Sequence, residues 1–131
     1  MQNSYLKIAF LLAALAVALG AFGAHALKEL LTASSMHTYE TAVQYHFYHT
    51  FALAIVGIFQ LHTKHKTLNV AGRFFIAGIF LFSGSLYALT ICKAAGITNM
   101  NWLGAITPLG GLIFICGWVC LFFAAKYLNR S

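Results

Sequence analysis

Residues 8–27 read IAFLLAALAVALGAFGAHAL: twenty residues between Lys7 and Lys28 with no charge among them. A helix needs about 20 mostly apolar residues to cross a hydrocarbon layer about 30 Å thick. This run meets that length, and the rest of the chain repeats it. Glu40 and Lys64 bracket 23 uncharged residues, 41–63; Arg73 and Lys93 bracket 19, 74–92; Lys93 and Lys126 bracket 32, 94–125. Each gap holds one crossing, and none comfortably holds two. The apolar runs are continuous, whereas barrel strands would alternate, so helices are expected. The fold class that follows is all-α, a four-transmembrane-helix bundle. It forms a single integral membrane domain over 1–131, with helices at about 6–27, 41–61, 71–92 and 108–126.

Composition agrees. Hydrophobic residues make up 61% of the 131 residues and charged ones 8%, against roughly 25% charged in a soluble domain. Ten charged side chains do not build a soluble surface at this length. Their placement sets the orientation. With four crossings, Lys7, Lys64, Lys66, Arg73, Lys126 and Arg130 share one side, and Lys28 and Lys93 the other. Six against two puts both termini in the cytoplasm of a multi-pass protein. The net charge of +6 flanks membrane spans and leaves no separate basic face. Membrane lipids are therefore the expected partners and nucleic acid is not. The first run resembles a signal peptide, with Ala24-His25-Ala26 in a small-x-small pattern, but exceeds the 7–15 residues of a signal core and is expected to be retained. Cys116 and Cys120, four apart on one helix, suit packing rather than a disulfide, and no metal site is expected.

Along helix 1, Ala16, Gly20 and Ala24 form a stripe of small residues that admits a close neighbour. Leu27–Leu31 reads as an amphipathic segment at the interface, and Trp102 suits the same level. Helix 4 has two readings. In the first, Thr107 caps the helix and Pro108 is its first residue. In the second, the helix begins near Asn101 and kinks at Pro108. The first is adopted here.

Polar residues within the spans are unevenly placed. Given this topology, His25, then Gln44, Tyr45, His46 and His49, then Ser83, Ser85, Tyr87 and Thr90, and then Thr107 all fall in the outer halves. At 100° per residue, Tyr45, Tyr48 and His49 share one face of helix 2, with His46 about 60° away. Ser83, Tyr87 and Thr90 share a face of helix 3, with Ser85 pointing the other way. Thr107, Gly111, Phe114 and Trp118 line up on helix 4. These faces are expected to converge on an outer-leaflet pocket lined by His25, Tyr45, His49, Ser83, Tyr87, Thr107 and Gly111, with His46, Gln44 and Glu40 in secondary positions. The start of helix 4 would aim free N–H groups at it. Each residue also has a plain reading. Buried His, Ser and Thr bond across helices in membranes, tyrosines mark interfaces, and Glu40 is a solvated acid near a helix start.

At these residues the chain resembles a known family. Gly20-Ala-Phe-Gly-Ala-His25, Tyr45 with His49, Leu81-Phe-Ser-Gly-Ser-Leu-Tyr87, Ile106-Thr-Pro-Leu-Gly-Gly111 and Gly117-Trp118 occur in this order. They resemble the small membrane proteins labelled domain of unknown function 423, whose animal members are called transmembrane protein 256. The resemblance implies four transmembrane helices and a bacterial plasma-membrane location, and it implies no activity. Members of that family often carry Gln where this chain has His46, so His25 and His49 are weighted above it.

Three functions compete. The first is binding or transport of a small molecule or lipid in the outer pocket, possible as a homo-oligomer. The second is a structural or assembly subunit of a membrane complex. The third is a redox protein with haem or a metal on His25 and His49 or His46. No cofactor is expected, haem being the alternative. No catalytic residue is assigned, because the sequence has no hydrolase elbow, no HExxH motif and no carboxylate pair within the spans.

Overall fold

The computed structural model describes residues 4–128; Arg130 lies outside them. Four helices account for nearly all of it. Helix α1, Ser4–Leu27, ends in a π-helical turn over Gly23–Leu27. Helix α2 is Ala33–His62. Helix α3, Lys66–Ala94, is interrupted by a π-helical turn at Ile79–Ser83. Helix α4, Leu103–Ala124, closes in a 3-10 turn at Ala125–Tyr127. Three of the four, Ser4–Leu27, Lys66–Ala94 and Leu103–Tyr127, are long and apolar enough to cross a membrane. Helix α2 is long enough, but its first half is polar.

Three boundaries differ from the sequence reading. Helix α2 begins at Ala33, not 41. Thr32 is its cap, and its Oγ1 accepts the Ser35 N–H at 3.2 Å. Nothing between Thr32 and Glu40 breaks a helix, so polar residues alone had made the segment look like a loop. Helix α3 begins at Lys66, not 71, capped by His65 Nδ1 accepting the Thr67 N–H. It closes at Gly96, whose φ of 74° lets the Ile97 N–H reach the Cys92 carbonyl. Helix α4 begins at Leu103, and Pro108 lies inside it. The early start of the second reading therefore holds: Thr107 is not the cap, and the free N–H groups lie about one turn earlier in the chain. Within the amphipathic segment Leu27–Leu31, residues 28–30 form a turn.

The helices pack antiparallel in chain order. On α1, Leu6 packs on Gly57, Gly20 on Val43 and Gly23 on the Tyr39 ring of α2. The π-helical turn brings Gly23 to that seam, which leaves Ala24, the last member of the expected small stripe, exposed. Between α3 and α4 the pairs run Phe75 with Gly117, Gly78 with Phe114, and Phe82 with Gly110, so each aromatic ring or backbone fills the place of a missing Cβ. The shared core is apolar and includes Leu53, Val56, Leu68, Phe75, Ile79 and Phe114. Leu11, Phe80 and Phe122 point outward, each more than 60% exposed.

The α3–α4 seam gives a direct test. A Cβ at Gly110 meets the Phe82 backbone, which cannot swing aside, whereas one at Gly104 meets nothing within 4 Å. Gly110→Ala is expected to lower the unfolding free energy in detergent micelles by about 2 kcal/mol. Gly104→Ala is expected to leave it unchanged or slightly raised.

Candidate functional site

Because α2 starts at Ala33, His46 and His49 lie near its middle rather than near its outer end. Their 60° separation sends them to different neighbours.

His49 is 5% exposed and faces α4. Its Nδ1 lies 2.7 Å from the Tyr45 carbonyl oxygen, and its Nε2 lies 3.2 Å from Trp118 Nε1. A carbonyl only accepts and an indole N–H only donates. Nδ1 must therefore carry the proton and Nε2 the lone pair, which fixes a neutral imidazole in one tautomer. The ring stacks on Phe114 with centroids 3.4 Å apart and planes 6° apart. Tyr45 stacks on Phe82 at 4.6 Å, closing the same seam one turn nearer the start of α2.

His46 is 1% exposed and points into the seam of α1, α2 and α3. Its Nδ1 hydrogen-bonds with Tyr87 Oη at 3.0 Å. The Tyr87 ring lies 5.3 Å from that of Tyr39. Tyr39 is buried and donates its hydroxyl to the Leu19 carbonyl at 2.5 Å. His46 Nε2 and, one turn on, Thr50 Oγ1 are buried with no hydrogen-bond partner.

The serines of α3 divide as their spacing implies. Ser83 Oγ donates to the Ala42 carbonyl at 2.8 Å, towards α2. Ser85 Oγ lies 2.8 Å from Thr107 Oγ1, towards α4, and also donates to Phe82 O. The last bond engages a carbonyl of the π-helical turn itself. Thr90 donates within its own helix to Leu86 O.

Of the expected pocket residues, the structure thus joins Tyr45 with His49, Tyr87 with His46, and Thr107 with Ser85. Ser83 is tied to backbone. Gly111 is half-buried beside the Phe82 ring. His25 is exposed at the end of α1, and Gln44 and Glu40 are exposed on α2; these three do not join the cluster. An opening of about 360 Å³ lies elsewhere, at the α3–α4 connection between Leu89, Lys93, Ile97 and Asn101. Among the described residues, no three His, Cys, Asp or Glu side chains are grouped to hold a metal ion. Tyr39 joins the site only because α2 begins at Ala33, since a helix starting at 41 leaves it in a loop. Its spacing of seven from His46 puts both on one face once α2 is extended. Thr50 was missed for want of any signal beyond its spacing of four from His46.

The model of the family "Protein of unknown function (DUF423)" matches residues 19–111, which contain His46, His49 and the α3 serines. The chain belongs to the DUF423 family. It is 45% identical over 120 residues to UPF0382 membrane protein YwdK of Bacillus subtilis, covering 88% of this chain and 91% of that protein. It is 42% identical over 112 residues to UPF0382 membrane protein SAB0533 of Staphylococcus aureus, covering 86% of each. It is 38% identical over 121 residues to a UPF0382 membrane protein of Haemophilus influenzae, covering 92% of each. No solved structure matches the chain. These relatives are bacterial and are named as membrane proteins. This DUF423 chain is accordingly a helical membrane protein, which agrees with its apolar helices.

The His49–Trp118 contact is measurable. Trp118→Phe removes the donor and leaves a buried lone pair unpaired, while His49→Phe removes the acceptor. A double-mutant cycle on unfolding free energy is expected to return a coupling of about 0.6 kcal/mol, the average for hydrogen bonds between membrane helices, and no more than about 1.7 kcal/mol. A coupling near zero would mean the bond does not hold the seam.

Proposed function

We propose that this protein is a non-catalytic structural unit of a bacterial plasma membrane, crossing it four times with both termini in the cytoplasm. Its work is assembly through its outward faces rather than binding in its interior. The observation that carries this reading is His49. Both of its nitrogens are used by protein groups and its face is covered by Phe114, so it has no valence left for a ligand.

The crossing is supported by the levels of the charges. Lys7 adjoins Leu6, which packs on Gly57, and Arg73 adjoins Gly72, on which Tyr5 packs. Lys28 lies five residues beyond Gly23, which packs on Tyr39, and so stands level with about residue 34 of α2. From there to Gly57 is about 35 Å at helical rise, close to the thickness of a hydrocarbon layer. His46 falls near the midplane. Around that level His49 bonds Trp118 of α4, Ser83 bonds the Ala42 carbonyl of α2, and Ser85 bonds Thr107 of α4, the pairing expected of polar groups away from water.

The binding or transport reading has less support. Tyr87, Ser83 and Thr107 already have partners, and the opening near Lys93 is lined by none of the expected pocket residues. The haem alternative needs two histidines facing a common space. His25 is exposed at one end of α1, and His49 is engaged mid-bundle.

Purified protein in nanodiscs is expected to show no saturable stabilisation by a panel of metabolites and lipids, and no Soret absorbance when isolated from haem-replete cells. Saturable binding lost in His49→Ala, but kept in Gly104→Ala, would overturn the structural reading. Green fluorescent protein is expected to fluoresce when fused to either terminus, and alkaline phosphatase to be active when inserted at 96–101, as the four-crossing topology requires.

A further inference from the structure

One face of α2 has no partner in the bundle. His37, Glu40, Gln44 and Tyr48 are all exposed and lie within an arc of about 80°, opposite the buried side that carries His46 and Leu53. Phe51 and Ile55 continue the stripe inward. At the same level the other helices turn hydrocarbon outward: Val17 on α1, Phe80 on α3 and Leu109 on α4. With the crossing proposed above, Glu40 and Gln44 lie inside the charge girdle by roughly 9 Å and 15 Å at helical rise. Lipid tails satisfy neither a carboxylate nor a carboxamide, so groups of this kind in a span pair with other protein groups.

We infer that this stripe is where a second copy of the chain packs, through a parallel α2–α2 contact about a two-fold axis along the membrane normal. The inference rests on the structural reading and names its partner. Copies inserted under the same Lys and Arg bias share one orientation, so a two-fold along the normal brings each stripe to its own image at equal depth. The stripe suits that image. A carboxamide carries donors and an acceptor, so Gln44 can bond the partner's Gln44. His37 is one turn from Glu40, which allows an imidazole of one copy to donate to the carboxylate of the other. Below them Tyr48, Phe51 and Ile55 supply apolar contact. An unrelated partner would need complementary groups of its own; a second copy brings them at the right depth.

The test is oxidative cross-linking of single cysteines in the full chain with Cys92, Cys116 and Cys120 replaced by Ala. It is run both in native membranes and in liposomes of purified protein. Gln44→Cys is expected to give a covalent dimer in both, and Val17→Cys and Leu112→Cys to give none. Equal dimer from all three, dimer only from the α1 or α4 positions, or Gln44→Cys joining only a different protein would each overturn the inference. Fluorescence photobleaching of the wild-type chain in liposomes is the second measurement, independent of cysteine geometry. Two-step traces are expected to dominate at a dilution where Glu40→Leu/Gln44→Leu gives mostly single steps, a shift of at least tenfold in the dimer-to-monomer ratio. A wild-type chain that is monomeric throughout would sink the dimer while leaving the structural reading intact. Saturable ligand binding would sink that reading whatever the oligomeric state.

Discussion

A histidine in the middle of a helical bundle has two ring nitrogens and no water to offer them. Whatever surrounds it must supply one acceptor and one donor, or the group costs more than the packing around it returns. In this chain the Tyr45 carbonyl accepts, the Trp118 indole donates, and Phe114 covers the ring. That constraint ties α2 to α4, which otherwise meet mainly through α3. The same stretch divides by face: His49 bonds Trp118 of α4 and His46 bonds Tyr87 of α3, while Gln44 and Tyr48 lie on the exposed side of α2. The pairs Ser83 with Ala42 and Ser85 with Thr107 obey the same rule at neighbouring levels.

Close approach makes those bonds possible. Glycines on α3 and α4 accept the rings of Phe114 and Phe75 and the backbone at Phe82, while Gly23 and Gly57 do the same between α1 and α2. The two π-helical turns serve this geometry. One brings Gly23 rather than Ala24 to Tyr39. The other lies where Phe82 and Ser83 must meet different helices. A helix of uniform pitch would carry one of each pair out of register.

The number of helices and the faces of α3 were legible in the sequence. Charge spacing gives the first, and helical periodicity gives the split between Ser83 and Ser85. The start of α2 was not, because Ser34, His37 and Glu40 read as solvent-loving residues, while the Thr32 cap that starts the helix is a weak signal without tertiary context. That error displaced the histidines outward in the sequence reading and hid Tyr39. The line-up of Phe114 and Trp118 with Thr107 was correct, but an empty pocket and a filled aromatic seam have the same periodicity. Only side-chain distances separate them. His25 illustrates the converse. A histidine near a motif-rich helix end looked like a ligand, yet the turn that positions Gly23 leaves it outside.

The central claim is that His49 is a neutral bridge inside the protein. Nitrogen-15 magnetic resonance of histidine-labelled protein in bilayers, with the signal assigned by its loss in His49→Phe, reads that state directly. The account requires a neutral ring protonated at Nδ1 near pH 7, unchanged by added metabolites or lipids and perturbed at Nε2 by Trp118→Phe. An imidazolium, a ring protonated at Nε2, or an Nε2 signal indifferent to Trp118 would contradict it.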